Sequence, residues 1–304
     1  MFKSSLNLVK ITPLLLLAAG LLFVGIYILR SIPISTVAFF TRVSEPTEYS
    51  FDSYKSLLKE NVQNGLVDYQ SLKSSNMLGK AMDELAKTSP TKLSIEGKAC
   101  YWLNASNLIT IKLITDRYPI KSFKEIGLDR ASKKFVVAGK PISLQKLNSN
   151  KLMPVLLNRE IPAESVFLIN GGTLAYPPLS SKLITPQNLA AEAKVAAYRY
   201  ITNEKNVYFD KDKGIFLISN LLNRYGRKFR QIDHTPYSIT TLYLSEDKAP
   251  DLTDIMLTKS YFSKIDYRIN ALSKRETQDT KGKQASDHEV SNSATTSTPE
   301  KKKP

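Results

Sequence analysis

The chain has 304 residues, of which 42% are hydrophobic, so it is long enough to build a substantial core in one large domain or two small ones. Its formal net charge of +15 favours anionic partners such as lipid headgroups or acidic polymers, and most of this surplus lies in residues 50–272. Cys100 is the only cysteine and there are two histidines, which excludes an intramolecular disulfide, a cysteine zinc cluster and a histidine-rich metal site. We therefore expect no metal and no other cofactor.

The first predicted element is a membrane anchor within residues 1–30. An uncharged apolar run begins at Ile11 and ends at Leu29. As a helix it spans roughly 28 Å, which matches the hydrocarbon core of a bilayer. A cleaved signal peptide has a shorter apolar region followed by small residues, whereas this run ends at Ile28, Leu29 and Arg30. The sequence favours an uncleaved anchor, with a signal sequence as the alternative.

The charges that flank this run bear on its orientation in the membrane. Lys3 and Lys10 precede it, while Arg30 and Arg42 follow it, so the positive-inside rule is nearly balanced. Short amino-terminal segments usually stay in the cytoplasm, and a large domain is exported whatever its charge. We expect a single-pass protein of a bacterial inner membrane, with residues 31–49 as a tether and the globular domain in the periplasm.

Residues 50–272 alternate helical and extended patterns without an internal repeat, which predicts a single globular α+β domain. Helical periodicity is found at residues 52–62, 77–87, 95–117, 143–157, 187–202 and 219–229. Extended segments are predicted at residues 134–138, 165–170, 206–210 and 214–219.

The segment 95–117 is predicted to be the central helix, because its apolar residues recur at helical spacing and Ser94 can cap it. Asn104 and Asn107 lie among these apolar residues one turn apart, where an unpaired buried amide would cost about 1–3 kcal/mol. They either tie neighbouring loop backbone to the helix or contribute to a ligand site. Cys100, in the same helix, is predicted to be a buried and unreactive thiol.

The loop that begins at Asn170 carries the next candidate residues. Asn170-Gly-Gly-Thr173 is interpreted as a tight turn, with a phosphate cradle as the alternative. It lacks the lysine and the longer glycine spacing of a nucleotide-binding loop. Ser165 and Thr173 are candidate hydroxyl nucleophiles, although no histidine or acid lies close to them in sequence. His234 is read as a surface histidine, or else as a base that the fold brings from afar.

A basic stretch after residue 220 holds Arg224, Arg227, Lys228 and Arg230, interleaved with aromatic side chains. A solvated basic surface is one reading, and a contact with lipid headgroups or nucleic acid is the other. We expect an anionic lipid or an acidic polymer as partner rather than nucleic acid. Five further lysines would extend this surface, namely Lys133, Lys134, Lys140, Lys146 and Lys151.

The last predicted segment is a disordered polar tail at residues 273–304. It holds no aromatic residue, and Val290 is its only large aliphatic side chain. Such a segment cannot bury enough apolar surface to offset the entropy of ordering.

Several segments, in order and spacing, also resemble a known family. They are GLVDYQSL at residues 65–72, ACYWLNASN at 99–107, IKLITDRYPIKS at 111–122 and YPPL at 176–179, with Asp266 and Asn270 near the end. Together they are similar to a bacterial and plant family catalogued as domain of unknown function 547, and the resemblance covers most of residues 50–272. It implies an exported or membrane-attached domain, which agrees with the anchor.

The same resemblance bears on chemistry. A family segment that pairs a histidine with two cysteines corresponds here to residues 166–177, where Val166 replaces the histidine and Gly171 and Tyr176 replace the cysteines. Neither a thiolate nor its neighbouring base can exist at these positions.

Two classes of function remain open. The first and favoured one is a non-catalytic binding or scaffolding module held at the membrane, with the former family cleft closed or re-used for recognition. The candidate residues of that cleft are Asn104, Asn107, Asn170, Thr173 and Tyr176. The alternative is a hydrolase or transferase with a rearranged, non-cysteine active site that draws on Asn104, Asn107, Ser165, Thr173, Tyr176 or His234.

Overall fold

A computed structural model describes residues 50–210, 212–245, 248 and 259–272, and it shows mixed helix and strand, as predicted. The predicted anchor from Ile11 to Leu29, the tether and the tail at 273–304 lie outside the described residues. Within the part of the chain that is described, no helix combines the length and the apolar character needed to cross a membrane.

The six predicted helical segments and three of the four predicted extended segments are found, together with several additional short elements. The helices are α1 (Asp52–Asn61), α2 (Tyr69–Ser74), α3 (Met77–Lys87), α4 (Ile95–Arg117), α5 (Asp129–Ser132), α6 (Leu144–Leu147), α7 (Met153–Leu156), α8 (Leu189–Ile201), α9 (Asn220–Phe229) and α10 (Ser238–Thr241). The strands are β1 (Val62–Gln63), β2 (Leu66–Val67), β3 (Lys134–Val137), β4 (Lys140–Ser143), β5 (Val207–Asp210), β6 (Ile215–Ser219) and β7 (Lys259–Ser263). Short 3-10 helices are found at Phe123–Ile126, Ala163–Leu168 and Arg230–Ile232, and a π-helical segment at Asn148–Leu152 joins α6 to α7.

The strands form small sheets. β1 pairs with β2 and β3 pairs with β4, both antiparallel, while β6 lies between an antiparallel β5 and a parallel β7. In the β3–β4 hairpin Val137 lies opposite Lys140, which leaves Ala138 and Gly139 as a two-residue turn. Both turn residues have positive φ, at 50° and 73°, as the tightest hairpin turns require.

The extended segment predicted at residues 165–170 is wrong, because Ala163–Leu168 is a 3-10 helix. Ser165 N donates to the Pro162 carbonyl at 3.1 Å and Ile169 N donates to the Val166 carbonyl at 3.3 Å, so the backbone bonds locally. Its side chains are buried against α8. A short apolar run of this kind does not distinguish a buried strand from a buried helical turn.

Helix α4 is the centre of the domain, as predicted. Every residue from 99 to 111 is buried, so the helix is enclosed on all its faces. The Ser94 hydroxyl accepts a hydrogen bond from Gly97 N at 3.1 Å and caps the helix as expected. The remaining elements pack around this helix, and its buried polar side chains must therefore find partners within the protein.

The carboxyl-terminal segment of the domain, residues 266–272, connects three distant parts of the chain. Ala271 bridges to Val67 in parallel, while Arg268 bridges to Ser122 and Ile269 bridges to Thr173, both antiparallel. In addition, Val67 N donates to the Asn270 carbonyl at 2.8 Å. The segments that carry the family resemblance thus converge at one place in the fold.

Candidate functional site

The site where these segments converge contains a cleft of about 290 Å³. Its walls come from residues 64–66, the loop 173–178, the turn after α8 at residues 203–206, and the segment 263–268. Asn170, Thr173 and Asn270 also line the cleft, at the place where the loop pairs with the carboxyl-terminal segment. We call this feature the cleft below.

Two buried asparagines hold the loop and the carboxyl-terminal segment together. Asn170 Oδ1 accepts a hydrogen bond from Gly172 N at 2.9 Å, and its Nδ2 donates to the Pro177 carbonyl at 3.1 Å. Asn270 Nδ2 donates to the Gly65 carbonyl at 3.2 Å, and its Oδ1 accepts from the Tyr69 hydroxyl at 2.7 Å. The loop 170–177 therefore has the form of a tight turn closed by its own asparagine.

Asn104 and Asn107, in α4, do not line the cleft, and both line a separate pocket of about 30 Å³. Asn104 Nδ2 donates to the Ile184 carbonyl at 2.7 Å, and Asn107 Nδ2 donates to the Leu168 carbonyl at 3.0 Å. Asn107 Oδ1 also accepts from Asn170 N at 2.9 Å. These bonds confirm the prediction that the two amides tie loop backbone to the central helix.

Thr173 differs from these amides, because its hydroxyl has no hydrogen-bond partner among the described residues although the residue is only 3% exposed. The cleft lies against this residue. The Ser165 hydroxyl is also buried without a partner, but it does not line the cleft. Neither hydroxyl is hydrogen-bonded to a base in the part of the chain that is described.

Tyr176 and Gly171, the positions that the predicted resemblance aligns with two cysteines, are in direct contact. A Cβ atom added to Gly171 would lie 2.4 Å from ring carbons of Tyr176, so only glycine leaves room for the ring. The Tyr176 hydroxyl accepts a hydrogen bond from Arg224 Nη1 at 2.6 Å. Burial raises the pKa of Tyr176, and the charge of Arg224 opposes this rise. Tyr176 therefore stays a neutral wall of the cleft at ordinary pH.

The rim of the cleft carries charges that the sequence analysis did not single out. Lys205 and Lys264 are exposed lining residues. Asp266 pairs with Arg268, with 2.6 Å between Oδ2 and Nη2, and hydrogen bonding from Arg268 lowers the pKa of Asp266. No sequence pattern links Lys205 to Lys264, because only the fold brings the two segments together.

Of the residues of the predicted basic surface, Arg224 and Arg227 on α9 and Arg230 just after it are exposed, whereas Lys228 is 2% exposed and does not belong to a surface. Helical spacing places Lys228 on the buried face, one turn beyond Tyr225. Its Nζ donates to the carbonyls of residues 158 and 161, both at 2.8 Å. Burial lowers the pKa of Lys228 to about 8.

Two further candidates lie away from the cleft. Cys100 is fully buried, and burial raises the pKa of its thiol to about 12, assisted by the charge of Glu96. His234 Nδ1 lies 3.2 Å from Ser238 Oγ, which also accepts a hydrogen bond from Thr235 N at 2.9 Å. Ser238 therefore belongs to a local turn at the start of α10, and neither it nor His234 lines the cleft.

Comparisons with known proteins complete this description of the site. No protein-family model matches the sequence, and neither curated proteins nor solved structures give a similar protein. Membership of the domain of unknown function 547 family stays a prediction based on the residues quoted above.

Proposed function

We propose that this protein is a membrane-anchored binding module of the bacterial cell envelope, related to the domain of unknown function 547 family and facing the periplasm. Its cleft holds a small polar ligand without converting it. The observation that carries this proposal is the cleft of about 290 Å³ lined by polar side chains from several segments, with the unpartnered Thr173 hydroxyl enclosed beside it.

The Thr173 hydroxyl favours a ligand for an energetic reason. A buried polar group without a partner costs about 1–3 kcal/mol, and native proteins keep few of them. Because Thr173 Oγ1 is enclosed, a ligand that supplies a hydroxyl or a carbonyl removes this cost only by reorienting the Thr173 side chain toward the cleft. The surrounding frame is already held by the hydrogen bonds of Asn170 and Asn270, so little ordering entropy opposes binding.

The groups at the cleft favour binding over the alternative of a hydrolase or transferase. Acyl or glycosyl transfer needs a nucleophile, or an activated water, within hydrogen-bond reach of a base. Here the Thr173 hydroxyl has no such neighbour among the described residues, and Asp266 is paired with Arg268. These observations support a ligand that leaves the cleft unchanged.

A thermal unfolding screen tests the binding proposal. The full chain in detergent is heated with a library of small polar metabolites and oligosaccharides, and a bound ligand should raise Tm by mass action. Thr173→Val should reduce the shift, whereas the matched control Ser165→Ala, which removes another unpartnered buried hydroxyl, should retain it. The recovered ligand should have its original mass.

Three outcomes count against the binding proposal. A hydrolysed or transferred product would favour the enzyme alternative. An equal shift in Thr173→Val would place the ligand elsewhere. A library without any stabilising member would remove the support for a ligand site.

The membrane location needs a separate experiment. Alkaline phosphatase fused to the carboxyl end should be active, because that reporter folds only outside the cytoplasm. A matched fusion that lacks residues 1–30 should be inactive. Activity of a cytoplasmic reporter at the same position would contradict both the orientation and the periplasmic location.

A further inference from the structure

The cleft has an excess of positive charge at its rim. Lys205, Lys264 and Arg268 line it, while Asp266 is the only acid among the described lining residues. Arg268 is paired with Asp266, and no ion pair joins Lys205 or Lys264 to a described residue. Lys205 also helps to lower the pKa of Asp266, but three cations against one carboxylate leave an excess of positive charge that concentrates anions at this opening.

The interior of the cleft is polar but uncharged. Asn64, Asn203, Asn206 and Ser263 line it together with Asn170, Asn270 and Ser219, and the unpartnered Thr173 hydroxyl is enclosed beside them. The Ser219 hydroxyl already shares a hydrogen bond of 2.6 Å with the Tyr200 hydroxyl. Groups of this kind exchange hydrogen bonds with hydroxyls, which are both donors and acceptors.

The apolar part of the lining is aliphatic, with Leu66, Leu174, Pro177 and Pro178 among its members. Such side chains pack against C–H groups rather than against a π system. The one aromatic lining residue among those described is Tyr176, whose ring packs on Gly171 and whose hydroxyl is bonded to Arg224. A nucleobase would lack the stacking face that its recognition usually uses.

We propose that the ligand of the cleft is an acidic sugar, meaning a saccharide unit that carries a carboxylate, phosphate or sulfate group. Its hydroxyls contact Thr173 and the polar interior, its C–H face packs on the proline wall, and its anionic group lies between Lys205 and Lys264. This inference rests on the proposed function and specifies the ligand class of the same cleft.

A glycan array tests the ligand class. The full chain in detergent is applied to carboxylated, phosphorylated and sulfated oligosaccharides, each printed beside its neutral parent. At least one acidic member should bind roughly tenfold more tightly than its parent, and added salt should reduce this difference. The tightest member identifies the anionic group. Mononucleotides and an acidic peptide are included as competing ligand classes.

Charge variants locate the interaction. Lys205→Met and Lys264→Met should each weaken binding of the acidic member by roughly threefold to tenfold and leave the neutral parent unaffected. Lys146→Met removes an exposed lysine that does not line the cleft and should change neither affinity. Tm values near that of the unaltered protein would confirm that both rim variants fold.

Each contrary outcome has a distinct meaning. Equal binding of acidic and neutral members overturns the inference and leaves the proposed binding function intact. Preference for a nucleotide or for the acidic peptide overturns it as well. Binding of the acidic member that survives both lysine substitutions places the anion elsewhere and also overturns it. Binding to no acidic glycan rejects the ligand class, whereas the metabolite screen with Thr173→Val decides the binding function itself.

Discussion

The central helix and the cleft bury polar groups in opposite ways. In α4, Asn107 uses both ends of its amide, donating to the Leu168 carbonyl and accepting from Asn170 N. At the cleft, the Thr173 hydroxyl is as deeply buried and has no partner among the described residues. Polar groups that hold the frame are satisfied by the protein, whereas the Thr173 hydroxyl, enclosed beside the cleft, is not. Removing groups of each kind tests this difference.

Asn107→Ala should have the largest effect. It leaves the Leu168 carbonyl and Asn170 N without partners in a buried environment, at about 1–3 kcal/mol for each. The free energy of unfolding, measured by urea denaturation, should fall by about 2–6 kcal/mol. Asn150→Ala is the control, because that asparagine is exposed, and its change should stay within about 0.5 kcal/mol. Equal effects would contradict the role given to the α4 amides.

Lys228→Met extends the comparison to a buried cation. It should lower the free energy of unfolding by about 1–3 kcal/mol near neutral pH, because two carbonyls lose their donor. The pKa of Lys228 is about 8 in the folded protein and near 10.5 in the unfolded chain. The folded protein therefore binds this proton less tightly. Between these values the unfolded chain carries more protons, so the contribution of Lys228 to the free energy of unfolding rises with pH and is lost as pH falls.

The measurement for Lys228 is denaturation at several pH values between 8 and 10.5. The free energy of unfolding of the variant should lack the rise with pH that Lys228 contributes. The difference in free energy of unfolding between the variant and the unaltered protein should therefore grow as pH rises across this window. Arg227→Met removes a cation from the exposed face of the same helix and controls for net charge. A constant difference would show that Lys228 keeps its ordinary pKa.

Thr173→Val should have a smaller effect of opposite sign. The substitution removes an unpartnered buried hydroxyl at nearly constant volume, so the free energy of unfolding should rise by about 1 kcal/mol. Thr110→Val is the matched control, since the Thr110 hydroxyl donates to the Ser106 carbonyl at 2.8 Å and its loss should lower stability by up to about 1 kcal/mol. Destabilisation by Thr173→Val would indicate that the hydroxyl has a partner within the protein.

Deleting residues 273–304 should have the smallest effect and provides the baseline for the others. A segment with one large aliphatic residue and no aromatic residue adds few packed contacts, so Tm should change by less than about 1 °C. Calorimetry of the full and shortened chains makes this measurement. A drop of several degrees would show that the tail docks on the domain.

The sequence was sufficient for features determined within one element. The long periodic pattern of α4, its Ser94 cap and the paired state of Asn104 and Asn107 follow from helical spacing and the cost of unpaired amides. The helical run 163–168 was not predictable in this way, because packing against other elements decides it. Helical spacing alone places Lys228 on the buried face of Tyr225, but the carbonyls of residues 158 and 161 that accept from its Nζ come from another segment and were not predictable.

The cleft was predictable only in part. Asn170, Thr173 and Tyr176 line it as the loop motif suggested. Asn104 and Asn107 do not line it, although Asn107 accepts a hydrogen bond from Asn170 N. Lys205 and Lys264 carry no local signal, since they meet only through the sheet and the segment that follows β7. Asn270 was quoted for the family resemblance, but its contact with Tyr69 joins residues too far apart for any local pattern to indicate.

The carboxyl-terminal segment that bridges to Val67, Ser122 and Thr173 has a consequence for biosynthesis. A ribosome makes the chain from its amino end. The first hairpin and the loop after Asn170 therefore lack their pairing partners until residues 266–272 have been translated. Pairings of such long sequence separation form late, after the loop entropy between them has been overcome. The domain therefore reaches its final form only once residue 272 is available, and a chain exported while it is still being made would close its cleft on the far side of the membrane.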